Sequence, residues 1–209
     1  NFLLTISNPN LWLLGVSLGL LNATRYGFLD WGLKHLISIR ELDGQTASVF
    51  KEAIKYAVLP LGGIAGSLLA GWATDRFFGS RRAPVTCMLL VALGILTLAY
   101  DRVAHASVPA TILLLGVIGF CIYGPQVLLV GTAPADLARK GTSAAAAGVV
   151  NCMGYLGAAA GDQITGFSLG TDYNWHRTIY LWAFWAFGAA IAAGLLWNAT
   201  AHESKDKSP

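Results

Sequence analysis

The chain has 209 residues, of which 55% are hydrophobic and only 12% are charged. Soluble domains carry about 25% charged residues, so the composition excludes an ordinary globular protein and predicts a chain whose main solvent is lipid. The net charge of +3 is modest, and the sequence has no basic stripe with interleaved aromatic residues, which argues against a nucleic-acid partner.

The apolar residues form six segments, separated by short stretches that hold most of the charges. A helix needs roughly 20 apolar residues to span a bilayer, and its backbone must be hydrogen-bonded internally, so we predict an all-α bundle of six transmembrane helices. The bundle is predicted over residues 1–200, with a polar cytoplasmic tail over 201–209. Because the chain starts at Asn1 without a signal sequence, we expect it to be a piece of a longer protein. The six segments are predicted at residues 11–33, 48–73, 84–100, 109–133, 142–169 and 178–199.

The distribution of basic residues predicts the orientation, because cytoplasmic loops of membrane proteins are enriched in Lys and Arg. The more basic side carries the loops after the second and fourth segments and the tail, so we expect these to be cytoplasmic, together with the start of the chain. The basic residues on that side are Arg76, Arg81, Arg82, Arg139, Lys140, Lys205 and Lys207.

Glycine and proline predict how the helices pack and bend. Gly157 and Gly161 have the GxxxG spacing that lets membrane helices approach closely. Pro60 and Pro125 lie inside apolar segments, where we expect kinks.

Enzyme and metal motifs are absent from the sequence. Three isolated cysteines have no metal-binding or redox spacing, and no hydrolase, protease or nucleotide-binding motif is present. The sequence therefore predicts no enzyme, no cofactor and no metal site. The histidines, which share no ligand spacing, are His35, His105, His176 and His202.

Arg25 lies well inside the first segment, where an arginine costs about 3 kcal/mol on insertion scales and normally faces a cavity or a partner. Its planar guanidinium matches phosphate or carboxylate, which favours an anion ligand. The alternatives are a buried pair with a carboxylate and snorkelling to the interface. Asp30, five residues later, is spaced to pair with Lys34, and its alternative roles are to couple to protons or to organise the arginine. Tyr26, beside Arg25, is expected to pack against it.

The second segment opens with Lys51, Glu52, Lys55 and Tyr56. Glu52 and Tyr56 share a helix face, and Glu52 is spaced for an ion pair with Lys55. Glu52 or Lys55 could instead line a substrate path. Further polar residues in the spans fit interhelical hydrogen bonds or one shared cavity. They are Asn22, Thr24, Tyr123, Gln126, Asn151, Tyr155, Asp162 and Gln163.

The loop after the second segment reads GWATDRFFGSRR, from Gly71 to Arg82. A carboxylate at a helix end beside clustered arginines can lock helices together through charge pairs, although ordinary positive-inside bias also explains the arginines. The residues of this loop motif are Gly71, Asp75, Arg76, Arg81 and Arg82.

This loop motif resembles that of the major facilitator superfamily, and its longer spacing before the arginine pair is similar to the organophosphate:phosphate antiporter family. Three other stretches agree. Residues 25–31 (RYGFLDW) resemble that family's seventh helix, residues 120–148 its tenth helix and the following loop, and residues 154–161 (GYLGAAAG) its eleventh. The resemblance implies a twelve-helix fold of which this chain is the C-terminal half.

The resemblance also implies a function. In the family, one arginine from each half grips the phosphate near the membrane midplane, and Arg25 matches the C-terminal one, with Tyr26, Asp30 and Tyr155 as neighbours. Glycerol phosphate or sugar phosphate would exchange for inorganic phosphate by alternating access. Many members carry a glutamate in helix eight where this chain has Pro60.

Other functions remain open at this point. They are a facilitator for another organic anion such as a carboxylate, a transporter-like sensor that binds without transporting, and an intramembrane enzyme. The expected partners are a phosphorylated small molecule, inorganic phosphate, the lipid bilayer and an N-terminal six-helix half.

Overall fold

The computed structural model describes residues 2–42, 49–79, 81–139 and 141–197, and within these ranges the chain forms helices and no β-strand. The predicted tail, 201–209, and Lys140 lie outside the described residues. The helices are α1 (Phe2–Ile6), α2 (Pro9–Tyr26), α3 (Gly32–Leu42), α4 (Val49–Tyr56), α5 (Val58–Phe77), α6 (Arg82–Ala106), α7 (Val108–Val127), α8 (Ala133–Leu137), α9 (Ser143–Leu169) and α10 (Trp175–Gly194), with π-helical segments at Gly27–Trp31 and Leu128–Thr132.

The predicted all-α membrane fold is confirmed, because each predicted segment is helical. Most ends shift by a few residues, but the helix of the first segment continues to Leu42 and does not end at 33. The short helix α1 was not predicted. Among the described residues, four helical stretches are long and apolar enough to cross a membrane. They are Val49–Phe77, Arg82–Ala106, Val108–Leu137 and Ser143–Leu169.

The long helices pack in an open series that brings the first and fifth segments together. Helix α5 packs on α7, α7 on α6, α6 on α10, α10 on α2, and α2 on α9. At the α2–α9 contact, Gly19 and Gly157 meet backbone to backbone, and a Cβ on Gly161 would fall 2.5 Å from that of Ala23. The predicted close packing at Gly157 and Gly161 is therefore confirmed.

Both predicted proline sites lie within a few residues of a break in regular helix. Helix α4 ends at Tyr56 and α5 begins at Val58, because Pro60 has no N–H to bond the carbonyl of Tyr56. Pro125 lies inside α7, just before the π-helical segment Leu128–Thr132. The π-helical segment after Tyr26 was not predicted, although such turns frequently occur at functional sites.

The start of the chain and two of the predicted cytoplasmic loops lie at one end of the bundle. Thr5 and Thr142 share a hydrogen bond of 2.7 Å between their hydroxyls, and the backbone N–H of Arg139 donates to Thr5. Arg82 reaches Asp136 of α8 at the same end. The described basic loops thus share one end of the bundle, as expected from their charge.

Candidate functional site

Arg25 occupies the last turn of α2, directly before the π-helical segment Gly27–Trp31. Its guanidinium carbon lies 5.0 Å from the ring centroid of Tyr26 and 5.0 Å from that of Tyr123 on α7. Both distances fall within the range of cation–π contacts, which hold a guanidinium without using its N–H donors. Two aromatic rings from two helices therefore fix the cation in place.

The guanidinium has no carboxylate partner among the residues that the structure describes. Its Nε is buried and makes no hydrogen bond. This speaks against the alternative of a buried pair with a carboxylate, because such a pair would occupy these donors. Arginine presents five N–H donors in a rigid fork, so the arrangement leaves donors for an anion.

Asp30 lies in the π-helical segment, with its side chain exposed. Its carboxylate interacts electrostatically with Asp162, Lys34 and Arg25. The indole of Trp31 donates to Asp162 on α9 at 2.6 Å, and the Lys34 ammonium lies 4.2 Å from the centre of the Trp31 ring. A line of charged and aromatic groups thus extends from Arg25 along the first segment towards α9.

Helix α9 presents Tyr155 to the outside of the bundle, where 61% of the residue is exposed. Gln163 is also exposed, and Asn151 is half-buried. Tyr155 follows Gly154, which packs against Leu18 and Asn22 of α2. The structure does not bring Tyr155 into direct contact with Arg25 through any described hydrogen bond or ring contact.

Glu52 and Tyr56 form a second cluster, against α3 and the first π-helical segment. The predicted ion pair is present, since the Lys55 ammonium lies 2.6 Å from Glu52, and Arg40 approaches the same oxygen at 3.9 Å. Tyr56 donates its hydroxyl to the carbonyl of Phe28. These contacts tie α4 to the turn that follows Arg25, and they do not join Glu52 to Arg25.

The loop motif forms a charge bridge between three helices. Arg82 at the start of α6 donates to Asp75 near the end of α5 at 3.0 Å and to Asp136 of α8 at 3.3 Å. Arg76 and Arg81 are exposed. Asp136 was missed by the sequence reasoning, because 54 residues separate it from Arg82 and nothing in its local spacing marks it as a partner.

The connection between α5 and α6 contains Gly79 with a φ of 54°, a conformation that glycine adopts without steric cost. Gly71, earlier in the motif, is half-buried and has open space where a side chain would begin.

A histidine cluster that the sequence did not predict lies at the opposite end of the bundle. Asp101 of α6 lies 3.2 Å from Nε2 of His35, 3.4 Å from Nδ1 of His176 and 3.6 Å from Nδ1 of His105. The sequence could not indicate this cluster, because its three histidines lie on three different helices and share no regular spacing. Among the described residues, no such group is arranged to hold a metal ion.

Comparison with known proteins identifies the family of the chain. A profile of the Major Facilitator Superfamily matches residues 5–209. The glycerol-3-phosphate transporter of Bacillus subtilis (strain 168) is 31% identical over 198 residues, which make up 94% of the chain and 43% of that protein. The membrane sensor protein UhpC of Escherichia coli (strain K12) is 32% identical over 193 residues, 90% of the chain and 40% of that protein.

A probable hexose phosphate transport protein of Chlamydia trachomatis is 28% identical over 205 residues, 95% of the chain and 42% of that protein. The chain thus spans about two fifths of the length of the curated relatives it matches. It is a multi-pass membrane protein with one half of a major facilitator fold. The chain belongs to the major facilitator superfamily, and its relatives match the organophosphate:phosphate antiporter family within it.

Proposed function

We propose that this chain forms the C-terminal half, helices seven to twelve, of a secondary transporter that exchanges a phosphorylated small molecule for inorganic phosphate. The substrate is of the glycerol phosphate or sugar phosphate class. The observation that carries the proposal is the Arg25 guanidinium, which is held between the rings of Tyr26 and Tyr123 with no carboxylate among its described contacts. The relatives named as glycerol-3-phosphate and hexose phosphate transporters support it.

Exchange follows from the chemistry of a shared anion site. Inorganic phosphate and a phosphate ester present similar oxygens to a guanidinium, so each can occupy the site only when the other has left. Because Arg25 forms no ion pair with a described carboxylate, an empty site leaves this cation without a direct counter-charge in a low-dielectric region, which favours changing conformation with an anion bound. An N-terminal half would supply the opposite wall and the second arginine.

The loop motif is proposed to act in gating. Arg82 bridges Asp75 and Asp136, and so joins the ends of α5, α6 and α8 on the side predicted to be cytoplasmic. Such a bridge stabilises one of the two alternating conformations and must be broken or rearranged in the other.

A transporter-like sensor is the second candidate, because one relative is named a membrane sensor protein. The same arginine site would bind the ester, and the signal would pass to another protein without flux. Binding with no exchange distinguishes this function from antiport.

The test is exchange of radiolabelled phosphate in proteoliposomes that contain the complete transporter. Glycerol 3-phosphate, glucose 6-phosphate, citrate and inorganic phosphate are offered outside. Antiport predicts that a phosphate ester drives efflux of the labelled phosphate and that citrate does not. Ester binding without efflux would favour the sensor, and exchange driven by citrate would favour a general organic-anion facilitator.

A further inference from the structure

Three buried polar atoms without a hydrogen-bond partner belong to α2 and α7, the helices that carry Arg25 and Tyr123. They are Nε of Arg25, Oδ1 of Asn22 and Oε1 of Gln126. Asn22 precedes Arg25 by three residues on α2, and Gln126 follows Tyr123 by three residues on α7. Residues three apart share a helix face, so Asn22 and Gln126 are placed on the faces of α2 and α7 that carry Arg25 and Tyr123.

Burial makes these atoms informative. Asn22 is only 3% exposed, yet its amide oxygen is unpaired. Buried polar side chains in native proteins are normally hydrogen-bonded, and an unpaired one is destabilising. Thr24, two residues further along α2, follows the rule, since its hydroxyl donates to the carbonyl of Trp182. Four other buried polar atoms of the described residues are also unpaired, and none of them belongs to a residue within three positions of Arg25 or Tyr123.

The amide of Asn22 packs against α9. Its amide nitrogen faces α9, where a Cβ on Gly154 would come within 3.0 Å of it. Rotating either amide end for end would place an NH₂ donor where the oxygen now lies, and the position would still hold an unpaired polar atom. A hydroxyl group can satisfy either orientation, because it both donates and accepts.

We infer that Asn22 and Gln126 form a hydroxyl-binding subsite beside Arg25, which selects phosphate esters of polyols or sugars over inorganic phosphate. This inference rests on the proposed function and deepens it. Arg25 binds the phosphoryl group that all substrates share, and the two amides bind the hydroxyl groups of the carbon skeleton. A site built to hydrogen-bond a hydroxyl discriminates against an analogue that lacks it, since its own polar atoms then stay unpaired.

The experiment compares glycerol 3-phosphate with n-propyl phosphate, which has the same carbon chain without hydroxyls, and with inorganic phosphate. Asn22→Leu and Gln126→Met remove the amides at nearly constant volume. Thr97→Val is the matched control, because Thr97 is a buried hydroxyl on α6 that is satisfied by the carbonyl of Leu93 at 2.7 Å. Kd is measured by equilibrium binding to purified complete transporter, and KM by exchange in proteoliposomes.

We expect each amide variant to bind glycerol 3-phosphate about tenfold more weakly, as for loss of a hydrogen bond. The Kd values of inorganic phosphate and propyl phosphate should not change. In the double variant, glycerol 3-phosphate and propyl phosphate should bind equally. If folded variants still preferred glycerol 3-phosphate over propyl phosphate by the same ratio of Kd values, the subsite would be overturned. An equal weakening of the binding of all three ligands would overturn it too. If exchange were absent in the unmodified protein, the antiport proposal would fail, and the ratio of binding constants would still decide the subsite.

Discussion

At the scale of single residues, Arg25 combines two properties that seldom occur together. It is a cation inside a membrane helix, and no carboxylate among the described residues forms an ion pair with it. The rings of Tyr26 and Tyr123 provide partial compensation through their π faces. The guanidinium is thus stabilised and oriented while its donors stay available, which is the arrangement that a phosphate site requires.

The contribution of Tyr123 can be measured directly. Tyr123→Leu removes the ring face and leaves the guanidinium less well ordered, so we expect phosphate binding to weaken about 2- to 30-fold, corresponding to about 0.5–2 kcal/mol. Tyr123→Phe keeps the ring and serves as the control, with an affinity close to that of the unmodified protein. Equal phosphate Kd values for the Leu and Phe variants would show that the ring does not order Arg25.

At the scale of helical elements, both helices of the site depart from regular geometry. A π-helical segment follows Arg25 and Tyr26, and another follows Gln126. A π-helical turn accommodates an extra residue and so turns the side chains beyond it to a different face. Tyr56 secures the first of these segments, because its hydroxyl donates to the carbonyl of Phe28. Helix α4 therefore supports the π-helical segment that follows Arg25, and no described contact joins α4 to Arg25 itself.

The charge bridge at Arg82 also belongs to this scale. Asp75→Asn and Asp136→Asn each weaken one of its contacts, so we expect exchange turnover to change by roughly fivefold or more, the low end of typical conformational coupling, with little change in phosphate Kd. Asp172→Asn, an exposed carboxylate in the loop before α10, is the control. A large change in Kd with unaltered turnover would contradict a role in gating.

At the scale of the whole molecule, Asp101 joins three elements that are distant in sequence. It contacts His35 of α3, His176 of α10 and His105 of its own helix. His35 is fully buried between the rings of Tyr100 and Trp175, at centroid distances of 5.2 and 4.9 Å. This cluster closes the end of the bundle opposite the charge bridge at Arg82.

Loss of Asp101 should therefore destabilise the fold. Asp101→Ala leaves the buried Nε2 of His35 without its partner, which costs about 1–3 kcal/mol. We expect a lower Tm for the purified protein in detergent, whereas Asp172→Ala at the same end should have little effect. An unchanged Tm for the Asp101 variant would show that the histidines are held by ring packing alone.

The sequence predicted the helices and singled out Arg25 as a candidate anion ligand because both inferences depend on local physics: apolar length for a membrane span, and the cost of an isolated charge within one. It did not predict the contacts of Tyr123, Asp136 and Asp101. Their partners lie on other helices, and no periodicity records which faces meet. Glu52 illustrates the same limit, since its spacing correctly predicted Lys55 and could not reveal Arg40 on α3.

The most direct measurement is phosphate exchange by the complete transporter with Arg25→Lys, beside Arg102→Lys, a conservative change at an exposed arginine near the end of α6. Lysine keeps the charge and loses the planar fork. If Arg25 grips phosphate, exchange by the Arg25 variant should fall about 10- to 100-fold, as expected for lost charge-assisted hydrogen bonds, and the Arg102 variant should exchange normally. Normal exchange by folded Arg25→Lys protein would contradict the assignment of the anion site to this residue.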